Sequence, residues 1–214
     1  IGGILKKGTA QEVAMQQMVY TRHGVERVIR FAFELARKRN RQKKLMLVDK
    51  ANAIRAQDIW TRTFAEVGEE FPDIEQDHAY VDAACMWMIK NPESFDTVVT
   101  TNLFGDIITD LGAVLQGGMG VAASGNIHPG QVSMFESIHG SAPKYKGKNV
   151  SCPIAAIAAI QMMLDHLGEA GASARVEGAV ESVLQDKDVT SVSASSGIST
   201  DEWGDRVVEK IRSL

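Results

Sequence analysis

"TNLFGDIITD", residues 101–110, carries two aspartates four residues apart inside a glycine-rich and otherwise apolar part of the chain. The stretch leading into it, "FDTVVTTN", reads as a short buried strand, and the residues from 106 to 115 have helical spacing. Gly105 then stands at the strand-to-helix turn, and Asp106 and Asp110 share one face of the helix. Asp is a poor helix-interior residue and is seldom buried without a partner. One reading is an N-cap plus a solvent-facing acid. The other is a cation site, because two hard oxygen donors suit Mg²⁺ or Mn²⁺, with water and substrate completing the shell.

Working outward, "GVERVIRFAFELARKR" at 24–39 has apolar residues at 25, 28, 29, 32, 33 and 36, a helical stripe closing on a basic turn. "KLMLVDK" reads as a short buried strand ending on charge. "AQDIWTRTFAEVGEEF" returns to helical spacing and stops at Pro72, and "DHAYVDAACMWMIKNP" reads as a further helix ending before Pro92. Strand, turn, helix, strand is an α/β pattern. From Gly117 the composition shifts, with glycines at 117, 118, 120, 125 and 130, as in a domain crossing or a ligand-facing loop. Then come a short strand in "VSMFESIHG", a polar loop, and an apolar helix, "PIAAIAAIQMMLDHLG", entered at Pro153 and stopped by Gly168. Amphipathic helices near 170–185 and 200–213 finish the chain.

Bulk properties narrow the function. The 214 residues are 44% hydrophobic and 23% charged with a formal net charge of -4, and the pI is about 5.8. That balance argues against nucleic acid or an anionic membrane as the main partner. The basic cluster from Arg37 to Lys44 closes a helix and lacks interleaved aromatics. Cys85 and Cys152 show no CxxC spacing, which fits reduced thiols and a cytoplasmic location. No apolar run reaches the roughly 18 residues that span a bilayer.

Several residues invite chemistry individually. Lys50, in "VDKAN", ends a buried strand and is either a surface lysine or a proton-transfer group. His78 and Asp82 fall at i, i+4 on the expected helix flank, with Asp82 among apolar neighbours. His139-Gly140-Ser141-Ala142-Pro143 offers a ring, flexible backbone and a hydroxyl, suited to a phosphate or adenosine, though it is neither GxGxxG nor GxxxxGK[ST].

Together these motifs resemble a family. "VDKAN", "YVDAACM", "FDTVVTTNLFGDIITDLGAVLQGGMGVAASGNI" and "FESIHGSAPKYKGK", in this order and over nearly the whole chain, resemble the metal-dependent decarboxylating 2-hydroxy-acid dehydrogenases, the isocitrate/isopropylmalate dehydrogenase family. The wording around "GDIITDLGAVLQGGMG" and "APKYKGKNV" looks most like its bacterial 3-isopropylmalate members, with isocitrate, homoisocitrate and tartrate/malate enzymes as alternatives.

The resemblance implies a two-domain α/β fold lacking its N-terminal part. Residues 1–117 would form a middle domain with dimer contacts and the catalytic Lys and Asp, and 118–214 part of the larger cofactor domain. Asp82, Asp106 and Asp110 would bind Mg²⁺ or Mn²⁺, and Lys50 would handle the hydroxyl proton. In a homodimer Lys50 and Asp82 would serve the neighbouring subunit's site. Glu136, His139, Gly140, Ser141, Ala142, Lys144 and Tyr145 would lie at NAD, or NADP, with Gly117 and Gly118 nearby. Two positions depart from the family pattern. Lys144-Tyr145 stands where NAD-using relatives carry Asp, and Cys152 replaces an Asn that contacts adenine. A cation would suit a 2′-phosphate, yet the Tyr and Arg completing that clamp are missing around Ser191 to Ser195, so the dinucleotide stays open.

Tyr20 matches a structural position. The substrate arginines and the catalytic tyrosine of the family would precede Ile1. The expectation is therefore a C-terminal part that is inactive alone and exposes apolar surface. A non-catalytic oligomerising or nucleotide-binding module is the second reading. A Mg²⁺-dependent phosphohydrolase, lacking a nucleophile-bearing strand end, is a distant third.

Overall fold

The computed structural model describes residues 2–214, which divide into two compact units, Ile1–Ile108 and Thr109–Leu214. The division falls inside a helix, α4, and Gly117 follows that helix's end.

In the first unit, β1 (Gly2–Leu5) and β2 (Val13–Gln16) form an antiparallel hairpin whose residues are all exposed. Helix α1 (Arg22–Arg39) follows, started by the Thr21 hydroxyl accepting from the Gly24 N–H at 3.2 Å. It is closed by Asn40 in the left-handed conformation. Its buried stripe is Val25, Ile29, Ala32, Phe33 and Ala36. The alternating elements β3 (Lys44–Asp49), α2 (Asp58–Gly68), β4 (Glu75–Tyr80), α3 (Val81–Lys90), β5 (Thr97–Thr100) and α4 (Asn102–Leu115) complete the unit and lead out of it.

The three strands make one parallel sheet in the order β4-β3-β5. Central β3 is buried on both sides, which is why "LMLV" is continuously apolar. Leu45 and Leu47 pack with α1 and α2 around Trp60, Phe64 and Val67. Met46 and Val48 face the other way, against Ala84 and Ile108. Phe33 anchors the first layer, fully buried between Phe64 and Phe71 at ring separations of 5.3 and 4.9 Å.

In the second unit, β6 (Ala123–Asn126) and β7 (Met134–Ser137) pair antiparallel. Helices α5 (Ile154–His166), α6 (Ala170–Leu184) and α7 (Thr200–Ser213) supply most of its bulk. Trp203 is fully buried, packed with Ile154, Ala179, Val183 and Val207. Ser199 starts α7, its hydroxyl accepting from the Glu202 N–H at 3.1 Å. Gly168, at φ +86°, ends the α5 segment as its sequence position implies.

Three expectations change. Residues 77–80 belong to strand β4, not to a helix, so His78 and Asp82 are not helical neighbours. Its exposed, polar composition suits a sheet edge and carries little apolar periodicity. Gly105 lies within the first turns of α4, its N–H on the Thr101 carbonyl at 2.7 Å, rather than at the turn before it. A Cβ there would sit 3.3 Å from Thr100 Cγ2, so close packing accounts for the glycine. The β1–β2 hairpin and β6 were not anticipated.

Candidate functional site

Lys50 follows directly from β3, and its backbone is held firmly. Its N–H donates to Gln57 Oε1 at 2.6 Å, and its carbonyl accepts from the N–H groups of Ala53 and Ile54 at 2.9 and 2.8 Å. Gln57 is itself fully buried and donates through Nε2 to the Tyr20 hydroxyl at 3.3 Å. Tyr20 in turn packs edge-on to Trp60, a structural use of that side chain.

The Lys50 side chain, 24% exposed, donates from Nζ to Asp82 Oδ1 at 2.5 Å. Its ammonium also lies 5.8 Å from the centre of the Tyr80 ring. Asp82 stands in the first turn of α3, where free backbone N–H groups favour an anion. The Lys50 hydrogen bond, aided by backbone N–H groups and overall attraction, holds the Asp82 carboxyl below the usual Asp range. Parallel pairing explains how residues 32 apart meet: Asp49 lies opposite Tyr80, so both neighbours leave the sheet at the same edge.

Asp106 and Asp110 lie one turn apart on α4 and are both exposed. Within one copy, no group of three or more His, Cys, Asp or Glu residues able to hold an ion forms among the described residues. The structure thus joins Lys50 to Asp82, and Asp106 to Asp110 along one helix, without assembling all three acids. The donor chemistry of the α4 pair, two carboxylates one turn apart, fits a hard divalent ion that takes further oxygens from elsewhere.

In the second unit, Glu136 is exposed near the end of β7. His139 is half-buried and donates from Nδ1 to the Gly140 carbonyl at 2.9 Å. A Cβ on Gly140 would meet nothing within 4 Å, so the backbone there is open to an approaching group. Ser141 is exposed, and Ala142 takes the left-handed conformation at φ +42° before a 3₁₀ turn over Pro143–Tyr145. Lys144 Nζ sits 4.8 Å from the Tyr145 ring centre. Gly117 and Gly118, at φ +115° and +105°, close α4 instead, with Gly118 N–H on the Ala113 carbonyl at 2.7 Å.

The basic cluster is neutralised by acids. Arg37 pairs with Asp73 and lies over Phe71, Arg39 reaches Asp96 at 3.6 Å, and Lys44 reaches Asp77 at 2.8 Å. Both cysteines are free thiols, and among the described residues no helix is long and apolar enough to cross a membrane.

The family model for isocitrate/isopropylmalate dehydrogenase matches residues 3–207. The chain belongs to that family. It is 52% identical over 189 residues to a 3-isopropylmalate dehydrogenase of Frankia casuarinae, covering 87% of this chain and 55% of that protein. With the Thermobifida fusca 3-isopropylmalate dehydrogenase the identity is 47%, over 99% of this chain and 59% of that protein. The structure also superposes on the isocitrate dehydrogenase of Methylococcus capsulatus, with a TM-score of 0.89 at 39% identity, covering 99% of this chain and 63% of that one. The chain therefore spans little more than half the length of these curated relatives.

Two residues around Lys50 escape the sequence reading. Asp49 and Gln57 are buried polar groups whose roles depend on contacts that no local pattern encodes. His78 was noticed but set on the wrong element.

Proposed function

We propose that this chain forms part of a dehydrogenase that oxidises and decarboxylates 3-isopropylmalate, as in leucine biosynthesis, in the cytoplasm. The cofactors are NAD, with NADP as the alternative, and Mg²⁺ or Mn²⁺. The single observation that carries the reading is the Lys50–Asp82 pair at 2.5 Å, in a chain whose curated relatives include 3-isopropylmalate dehydrogenases.

Asp106 and Asp110 would hold the divalent ion from one copy, and Asp82 of a second copy would supply the third carboxylate. When bound, the ion polarises the substrate hydroxyl and steadies the negative charge left by departing CO₂. NAD or NADP, when bound, would supply the hydride acceptor, and Lys50 in its amine form would take the substrate's hydroxyl proton at Nζ, with Asp82 beside the ammonium that forms. Breaking the bond to the carboxylate releases CO₂ and leaves its electron pair on carbon, which is then protonated. His139, Gly140, Ser141 and Ala142, with Glu136, would cradle the dinucleotide, and Lys144 and Tyr145 would flank its adenosine ribose.

A homodimer is supported by exposed apolar side chains on α3 (Met86, Trp87 and Ile89) and on the hairpin (Ile4, Leu5, Val13 and Met15). The open backbone at Gly140, between His139 and Ser141, also suits a second reading, an oligomerising nucleotide-binding module without turnover. The deciding assay is Mn²⁺-dependent reduction of NAD or NADP by 3-isopropylmalate, in the protein as the cell makes it. Reduction with isocitrate or malate instead would overturn the substrate. Dinucleotide binding with no reduction by any of these acids would favour the module.

A further inference from the structure

Asp49 is fully buried at the end of the central strand, beside Lys50, and the proposed chemistry gives it no task. A carboxyl group taken out of water is costly unless donors reach it. Oδ1 accepts from the Ala51 N–H at 3.0 Å and lies 3.1 Å from His78 Nε2, within ion-pair range. Oδ2 is buried and meets no donor. With so few polar neighbours, losing either leaves the group poorly satisfied.

The Ala51 bond is an Asx turn, in which a side chain of residue i caps the N–H of residue i+2. It closes around Lys50, whose carbonyl holds the next two turn amides. His78 also packs edge-on to Tyr80, at 5.2 Å between ring centres, and Tyr80 is the ring beside the Lys50 ammonium. Leu47 pairs with His78 and Asp49 with Tyr80, so Asp49, His78 and Tyr80 stand on one face of the sheet.

We propose that Asp49 and His78 are positioning residues for Lys50: His78 satisfies the buried carboxyl, and the carboxyl fixes the turn from which the lysine reaches Asp82. The proposal rests on Lys50 being the proton-transfer group, so its test has one arm that does not depend on activity.

His78 is 38% exposed, so it can be replaced without opening the core. His78→Phe keeps a ring against Tyr80 and removes the nitrogen beside Asp49, whereas His78→Gln keeps an amide N–H at similar reach. Hydrogen exchange of the whole chain is read at Ala51, Ala53 and Ile54, with Leu45 to Val48 as internal reference. His78→Phe should speed exchange of the turn amides about tenfold, the scale of a lost hydrogen bond to a charged group, and leave β3 unchanged. His78→Gln should restore protection. In turnover of 3-isopropylmalate, His78→Phe should lower kcat about tenfold with KM within about twofold, and His78→Gln should recover it.

Unchanged turn exchange in His78→Phe, or a Gln variant as impaired as the Phe variant, would overturn the proposal. So would loosened turn amides with an unchanged kcat. If the unmutated protein shows no turnover, the assignment of Lys50 fails, while the exchange arm still decides whether His78 orders the turn.

Discussion

Gln57→Leu tests how the backbone of Lys50 is held. Gln57 is fully buried, and its amide accepts the Lys50 N–H at 2.6 Å while donating to Tyr20 at 3.3 Å. Leucine is of similar volume, so the change leaves little cavity and mainly strands the Lys50 N–H. A buried backbone donor without a partner costs about 1–3 kcal/mol. With a urea slope of about 1–3 kcal/mol/M, the midpoint of the first unit should fall by roughly 0.5–2 M, read by exchange of the β3 amides in increasing urea. Tyr20→Phe is the internal control. It removes the longer bond and the weak Tyr20 hydroxyl donation to Met18 Sδ at 3.7 Å while keeping the ring edge-on to Trp60, so it should cost about 1 kcal/mol or less. A Gln57→Leu variant within about 0.5 kcal/mol of the parent, or a Tyr20→Phe variant equally damaging, would refute the reasoning.

Trp203→Ala should destabilise the second unit by about 3–5 kcal/mol, because its fully buried ring joins α7 to α5 and α6; loss of amide protection in α5 to α7 with β3 protection retained checks this. Asp106→Asn and Asp110→Asn should each weaken Mn²⁺ binding at least about tenfold, the loss seen even for outer-sphere partners of a metal, as measured by electron paramagnetic resonance of free Mn²⁺. In acid, Glu70 beside Arg30, Asp73 beside Arg37 and Asp77 beside Lys44 all have folded-state values held below their ordinary ones, chiefly by those hydrogen bonds. Their stabilisation is present above about pH 4–5 and fades as pH falls through the lowered folded-state values. The first unit should therefore lose stability on acidification below that range, and Asp77→Asn should flatten the slope in urea titrations across pH.

What could be read in the sequence follows the physics of each element. Helix α1 was legible because a single buried face repeats through Val25, Ile29, Phe33 and Ala36. Strand β3 was legible because both of its faces are covered. Strand β4 was not, since an edge strand with exposed Glu75, Gln76 and His78 shows neither a helical stripe nor an apolar run. The β1–β2 hairpin buries none of its residues within this chain, so its alternation had no core to mark. For the site, motif order pointed to Lys50, Asp82, Asp106 and Asp110 individually, but spacing could not say which of them touch.

Strand register decides that question. The pairing of Asp49 with Tyr80 puts Lys50 one residue beyond one strand and Asp82 two beyond its neighbour, within reach of a 2.5 Å hydrogen bond. A slip of one residue between β3 and β4 would turn His78 to the face opposite Asp49 and leave that buried carboxyl with the Ala51 N–H alone. The same slip would turn Ala79 out of the layer of Met46 and Val48, where it packs in the observed register. The Asp49–His78 contact and the apolar layer therefore penalise the same error. The register that buries the core is also the one that brings Lys50 to Asp82.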